Sequence, residues 1–270
     1  ISPALFIPIA EEANMIGELG EWALRKACEE AATWPGKMKV AVNVSPIQFA
    51  KDTLPKVIKE ALSHSGLAPG RLELEITESV FLQDSDDTDA KFQALKDIGV
   101  RLALDDFGTG YSSLGYLKTA PFDKIKIDQS FVRGATEPGS RNGAIISAIV
   151  ALAEALGMET TAEGIESLDQ LDLIRSLHVS HVQGYVYSQP VANEVLLERC
   201  ESGDWEITPA GPAVQRSDRL SMYRRIGAIH EDHCYNVVLR NLSVSGAMIE
   251  GIIDVPLGTK FVLDFGDGQL

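Results

Sequence analysis

Six apolar segments of the chain end on a side chain able to hold a metal ion or a phosphate: Asn43, Glu75, the pair Asp105-Asp106, Lys126, Glu163 and Gln183. Asn43, Glu75, Asp105, Asp106 and Glu163 are oxygen donors, the ligand type that hard cations such as Mg2+ or Mn2+ take. Adjacent carboxylates raise each other's pKa, and a divalent metal pair is the simplest remedy. Two ions about 3.5–4 Å apart activate a water and stabilise the leaving oxygen of an in-line phosphoryl displacement. Lys126 suits a phosphate oxygen or the attacking water. Singly, each residue also has an ordinary reading. Asn43 and Asp105-Asp106 could turn the chain, Glu75 and Glu78 could be a solvated helix entry, Lys126 a surface lysine, and Glu163 and Gln183 loop polar groups. Their recurrence at successive segment ends points to one shared site.

The elements that must position them alternate. Lys39 to Val44, Arg71 to Thr77, Arg101 to Asp106, Lys124 to Asp128, Glu159 to Glu163 and His181 to Tyr185 read as short strands. Helices are predicted at Thr53 to Ser65, about Asp87 to Ile98 and Ala144 to Leu156, stopped by Gly66, Gly99 and Gly157. Ser167 and Gln170 form a capping-box pattern opening Leu168 to Leu177, and a last helix is expected over Val191 to Cys200. This βαβα order predicts parallel pairing. In a parallel barrel, catalytic groups gather at the carboxyl ends of the strands, so the expected fold is an α/β TIM-like barrel. One helix is expected over about Ile9 to Ala31, ahead of the first strand read. No strand precedes it, so the barrel is expected to lack its first strand and any ligand that strand carried.

The chain has 270 residues, of which 45 % are hydrophobic, enough for one large core and part of a second. Its formal net charge of -15 argues against binding nucleic-acid polymers or anionic membranes. A phosphate substrate stays open, because cations held by the carboxylates would reverse the local charge. Cys28, Cys200 and Cys234 lack CxxC spacing, which argues against a disulfide framework or a zinc site and fits a reducing cytoplasm. The five histidines show no metal-ligand spacing. No transmembrane run or leader is visible, so no membrane contact is expected in this segment, although an upstream anchor is compatible with it.

Phe6-Ile-Pro-Ile-Ala-Glu11, Asn43-Val-Ser45, Glu75-Ile-Thr-Glu78, Asp105-Asp-Phe-Gly-Thr-Gly-Tyr-Ser-Ser-Leu114, Lys126-Ile-Asp128, Ala162-Glu-Gly-Ile-Glu166 and Gln183-Gly-Tyr185 together resemble the EAL-domain cyclic di-GMP phosphodiesterases, over about residues 3 to 195. The resemblance implies a metal-dependent TIM-like barrel that linearises cyclic di-GMP to pGpG in bacterial second-messenger signalling. It makes Asn43, Glu75, Asp105 and Asp106 metal ligands, one Asp bridging two ions, with Glu163 a further ligand or the general base. Lys126 and Gln183 would position the water and metal-bound groups. Asp106 to Ser113 resembles the family's mobile loop over the metals, with Glu78 its anchor and Glu166 a supporting carboxylate. The Glu-x-Leu signature that names the family would lie upstream of Phe6, so inactivity of the fragment itself, for lack of that glutamate, is left open. The resemblance also implies a dimer formed through the barrel and an upstream GGDEF or sensor domain. Its alternative is a receptor that binds cyclic di-GMP without hydrolysing it and signals through a partner or the second domain.

The barrel is expected to occupy residues 1–203, followed by a Pro/Gly linker at 204–213 and a partial, small all-β barrel at 214–270. Strands are predicted at Asn236 to Leu242, Ala247 to Glu250 and Lys260 to Phe265, with turns at Ser245-Gly246 and Leu257-Gly258. Asn241-Leu-Ser243-Val-Ser-Gly246 resembles the motif of PilZ domains, which are cyclic di-GMP receptors. Those domains add an Arg-x-x-x-Arg pair. Arg216, Arg219, Arg224 and Arg225 are present, but no two are four residues apart. The alternative is that these arginines form a solvated linker face and that the motif is a polar turn. From Gly211 onward there are six Lys/Arg against seven Asp/Glu, so the acidity of the chain belongs mostly to the barrel.

Overall fold

The computed structural model describes residues 1–82, 86–108, 115–118, 120–137, 139–202, 208–210, 220–230, 233–243, 246–251 and 259–266. The chain divides into two compact units, Ile1–Ala213 and Val214–Leu270.

The first unit runs α1 (Pro3–Glu12), α2 (Ile16–Thr33), β1 (Val40–Val44), α3 (Pro46–Phe49), α4 (Leu54–Ser65), β2 (Leu72–Thr77), α5 (Asp86–Ile98), β3 (Arg101–Phe107), β4 (Lys124–Ile127), α6 (Gln129–Val132), α7 (Asn142–Ala155), β5 (Glu159–Ala162), α8 (Leu168–Ser176), β6 (His181–Val182) and α9 (Asn193–Glu201). The six strands form one sheet in chain order, every ladder parallel. Its edge strands are β1 and β6. Trp34 Nε1, just ahead of β1, donates to Asn193 Oδ1 at the start of α9 beyond β6 (2.7 Å), so the curved sheet brings its two ends together.

The single helix expected from Ile9 to Ala31 is two helices. Asn14 takes a left-handed conformation (φ 56°), one of the few non-glycine types that does so at low cost. Met15 N–H then bonds Ala10 O (2.8 Å) and Asn14 N–H bonds Glu11 O (3.0 Å), a Schellman closure of α1. The last helix likewise starts two residues later than expected, at Asn193. The stops at Gly66, Gly99 and Gly157 are observed, as is the reciprocal Ser167/Gln170 box. A second such box, Ser45 with Gln48, opens α3 directly after β1.

Alternation along the strands explains the layers. Leu72, Leu74 and Ile76 of β2, Leu102 and Leu104 of β3, and Ile125 and Ile127 of β4 are fully buried. They pack with Leu24 and Cys28 of α2, Ile58 of α4, Phe92 and Leu95 of α5 and Ile146 of α7 in one cluster. The other face of the same strands carries Glu73, Glu75, Arg101, Asp105, Lys124 and Lys126. A parallel barrel is usually filled by branched aliphatic side chains; this sheet instead puts charges on its inner face.

The second unit is a four-stranded antiparallel sheet, order β10-β7-β8-β9, built from β7 (Leu220–His230), β8 (His233–Ser243), β9 (Gly246–Glu250) and β10 (Val262–Asp264). Its core is Ile226, Ala228, Val237 and Leu239. β7 is an addition to the expected strands, and it takes up Arg224 and Arg225, which are therefore strand residues rather than a linker face. Ser245 and the expected turn at Leu257-Gly258 lie outside the described residues.

Candidate active site

Two ionic layers cross the inner face of the sheet. In the lower one, Lys124 Nζ binds Glu73 Oε1 (2.6 Å), and Arg101 joins Glu73 Oε2 (3.3 Å) to Glu159 Oε2 (2.7 Å). Two cations meet two carboxylates, so this layer is neutral. In the upper one, Lys126 Nζ binds Glu75 Oε2 (2.8 Å), Asp105 Oδ1 (2.9 Å) and Glu163 Oε1 (2.6 Å). One cation against three carboxylates leaves two negative charges over, and Asp106 adds a third beside them.

Successive strand residues point to opposite faces, yet Asp105 and Asp106 reach one site. The β3–β4 register breaks between Leu104 and Phe107, and Asp106 is left-handed (φ 55°). This bulge turns the second carboxylate back toward the first, and Asp106 N–H is held by Asp105 Oδ1 (3.1 Å). Oxygen atoms of Asp105, Asp106 and Glu163 consequently lie within 4.8 Å of one another.

The electrostatics follow from this crowding. Burial pushes the carboxyls of Glu75 and Glu163 up, against the opposing pull of Lys126. Asp106 is pushed up by burial and then by Asp105. Burial alone would lower Lys126, but Glu75, Asp105 and Glu163 outweigh it and hold the ammonium charged. Between the layers, the Thr161 hydroxyl is buried without a hydrogen-bond partner, a polar atom aimed at the same interior. Surplus negative charge, hard oxygen donors and an orphaned hydroxyl together fit a divalent cation.

The remaining expected residues fall around this centre. Asn43 sits opposite Glu75 across the β1–β2 ladder and is exposed. Glu78 is buried, and its Oε1 accepts from Gly108 N–H (2.9 Å), where the segment after β3 begins. Tyr116 packs its ring on Phe81 (centroids 4.1 Å apart), and its phenol is pushed up by burial and by the charge of Glu78. Residues 109–114 of the expected mobile loop lie outside the described residues. Glu163, Glu166 and Gln183 line one cavity of about 680 Å3. Gln183 is placed by a backbone crossing too close for any side chain: a Cβ on Gly184 would stand 2.1 Å from Ile165 O and 2.4 Å from Ile165 N.

In the second unit, Arg224 Nη2 donates to Phe265 O (2.8 Å), and Arg225 is exposed on β7 opposite Val238. Asn241 and Ser243 lie on β8, and Ser243 pairs with Gly246 at the start of β9. Arg216 and Arg219 lie outside the described residues.

The lower layer of Glu73, Arg101, Lys124 and Glu159 was not singled out from the sequence. Its only signal there is polar alternation, which a strand with a solvated face shows equally.

Fold and site thus define a class: a TIM-like α/β barrel with an acidic, cation-seeking centre on its inner face. The EAL domain matches residues 1–190, and the chain belongs to that family. It is 48 % identical over 192 residues to the uncharacterized protein y4lL of Sinorhizobium fredii, covering 71 % of this chain and 23 % of that protein. It is 38 % identical over 201 residues to the bifunctional diguanylate cyclase/cyclic di-GMP phosphodiesterase MucR of Pseudomonas aeruginosa, covering 73 % and 29 %. The phosphodiesterase of the latter, solved as a c-di-GMP complex, superimposes with a TM-score of 0.69 over 73 % of this chain and 81 % of that one. The chain therefore spans about a quarter of the length of these curated relatives. Among the described residues no helix is long and apolar enough to cross a membrane.

Proposed function

We propose that this barrel hydrolyses cyclic di-GMP to pGpG in bacterial second-messenger signalling, with two divalent ions, Mg2+ or Mn2+, held by Asn43, Glu75, Asp105, Asp106 and Glu163. The observation that carries the reading is the set of Glu75, Asp105 and Glu163 around a single buried lysine, with Asp106 brought up to Asp105 and Glu163. Cations bound there would supply Lewis acidity toward a phosphoryl oxygen and make a water more acidic. Glu163, pushed up and open to the cavity, is placed to take the proton of the attacking water on its carboxylate. The new P–O bond forms as the P–O3′ bond breaks, and the departing O3′ takes a proton from solvent, leaving a 5′-phosphate and a 3′-hydroxyl. Lys126 holds three carboxylates in fixed positions and stays charged beside the developing negative charge. Gln183 orients groups at the cavity mouth. Glu78, through Gly108 N–H, fixes the backbone directly after β3.

The second unit is read as a PilZ-like module, on the placement of Asn241, Ser243 and Gly246 around the β8–β9 connection. Of the two candidate arginines among the described residues, Arg225 is then the one open to a ligand, since Arg224 is engaged by Phe265 O. The reading includes a cytoplasmic location, a barrel dimer and an upstream GGDEF or sensor domain.

The test is a chromatographic assay of the chain, and of a parent protein carrying the upstream strand, with cyclic di-GMP and Mg2+ or Mn2+. Product pGpG supports the enzyme, and Glu163→Ala should bind nucleotide without turnover. Binding without product from either wild-type form would replace the enzyme by the receptor reading. Absence of both would dismiss both.

A further inference from the structure

The cavity beside Glu163 has two sides of different chemistry. On one, α9 and the segment entering it supply Val191, Leu196 and Arg199, with Leu196 and Arg199 a turn apart on one helix face. Tyr185 lines the same cavity and is 57 % exposed. On the other, α6 and the residue capping it supply Gln129 and Arg133. Gln129 is packed against Gly164, its Cβ standing 2.7 Å from where a Gly164 Cβ would be, so this side adjoins Glu163.

Among the described residues, neither the Arg133 nor the Arg199 guanidinium makes a hydrogen bond or an ion pair. Arg25, Arg71 and Arg101 of the same unit are each bound to carboxylates or carbonyls. Two unengaged guanidinium groups facing one cavity, in a chain of net charge -15, are therefore available to a ligand.

We propose that the α9 side is a purine-reading half-site in which Arg199 determines base specificity, while Arg133 serves the sugar–phosphate whatever the base. The inference rests on the cyclic di-GMP reading above and deepens it. Guanine offers two acceptors, O6 and N7, on one edge, which match the planar guanidinium fork. Adenine presents its N6 amino donor in place of O6, and donor then meets donor. Tyr185 supplies a face for stacking, which every base accepts alike, so discrimination falls to the arginine.

The experiment is calorimetric titration of the full chain with cyclic di-GMP and with cyclic di-AMP, which share the ring of phosphates and differ in the base. Arg199→Ala should weaken cyclic di-GMP about 5- to 100-fold and cyclic di-AMP by no more than about twofold, so that the preference for guanine collapses. Arg199→Lys keeps a charged donor for O6 and N7 without the planar fork and should retain only part of the preference. Arg133→Ala should weaken both ligands equally. Equal losses for both ligands in Arg199→Ala, or none, would overturn the assignment while leaving cyclic di-GMP binding intact. A wild-type chain that binds neither dinucleotide would overturn the underlying reading, and the half-site with it.

Discussion

Lys126→Met removes the only cation of the upper ionic layer and keeps the length of the side chain. Lys126 is 4 % exposed and sits 2.6–2.9 Å from Glu75, Asp105 and Glu163. Its loss takes the four-residue cluster from two surplus negative charges to three, with the shared cation gone. Removing one member of a buried ion cluster costs about 3–5 kcal/mol, because the charges left behind stay desolvated. With a urea dependence of about 1–3 kcal/mol per molar, the midpoint should fall by at least about 1 M. The assay is equilibrium urea unfolding of wild type and variant at pH 7.5 in chelator. Excess Mg2+ should narrow the gap, because bound cations replace the lost positive charge. Equal midpoints in chelator would refute the claim that these carboxylates depend on the lysine.

The metal-free chain should also be sensitive to acid in an unusual direction. Glu75, Asp106 and Glu163 are raised in the folded state, so their contribution is complete below the unfolded carboxylate range, near pH 4, and is lost as pH rises through the raised values. Urea midpoints in chelator, compared between wild type and Glu163→Gln, should therefore show wild type gaining stability from pH 8 to pH 5; a flat difference contradicts the raised carboxyl. Asp106→Gly should raise the metal-free midpoint by removing a left-handed residue and a like charge while abolishing turnover, and a lowered midpoint would count against strain there. Gly184→Ala forces a methyl into Ile165 backbone and should cost more than about 1 kcal/mol, with loss of turnover from the displaced Gln183; unaltered kinetics would dissociate that crossing from the site. Ser167→Ala deletes the capping box that opens α8 and should cost about 1 kcal/mol, as read by thermal melts; an unchanged melting temperature would count against the box as a stabilising contact.

The strand ends carrying Glu75, Asp105, Lys126 and Glu163 were legible because each closes a short apolar run, and parallel pairing then dictates a common side. Helix stops at Gly66 and Gly157 were legible because a left-handed C′ residue is chiefly a glycine property. Asn14 does the same work with less compositional signal, so the break between α1 and α2 was missed. The bulge at Asp106 was not readable, since two consecutive acids give no sign of which backbone angle reconciles them. The strand β7 was hidden by its composition: Arg224 and Arg225 interrupt the pattern, and only Ile226 and Ala228 of its described side chains are buried. Glu73, Arg101, Lys124 and Glu159 escaped for a related reason. Inward-facing charges mimic a wetted face until the sheet curves around them.

That ionic interior bears on the order in which the barrel can assemble. Leucine and isoleucine between strands and helices gain from burial as soon as the chain collapses, whereas ion pairs strengthen only once water has left them. The outer shell of Leu72, Leu74, Leu102, Ile125 and their helical partners can therefore close first, around a centre still hydrated. A collapsed species of that kind would show native helix content but no ordered cation seat, so helical signal would return before metal binding during refolding. Maturation of the centre, rather than collapse, would then set the time at which a newly made chain becomes competent.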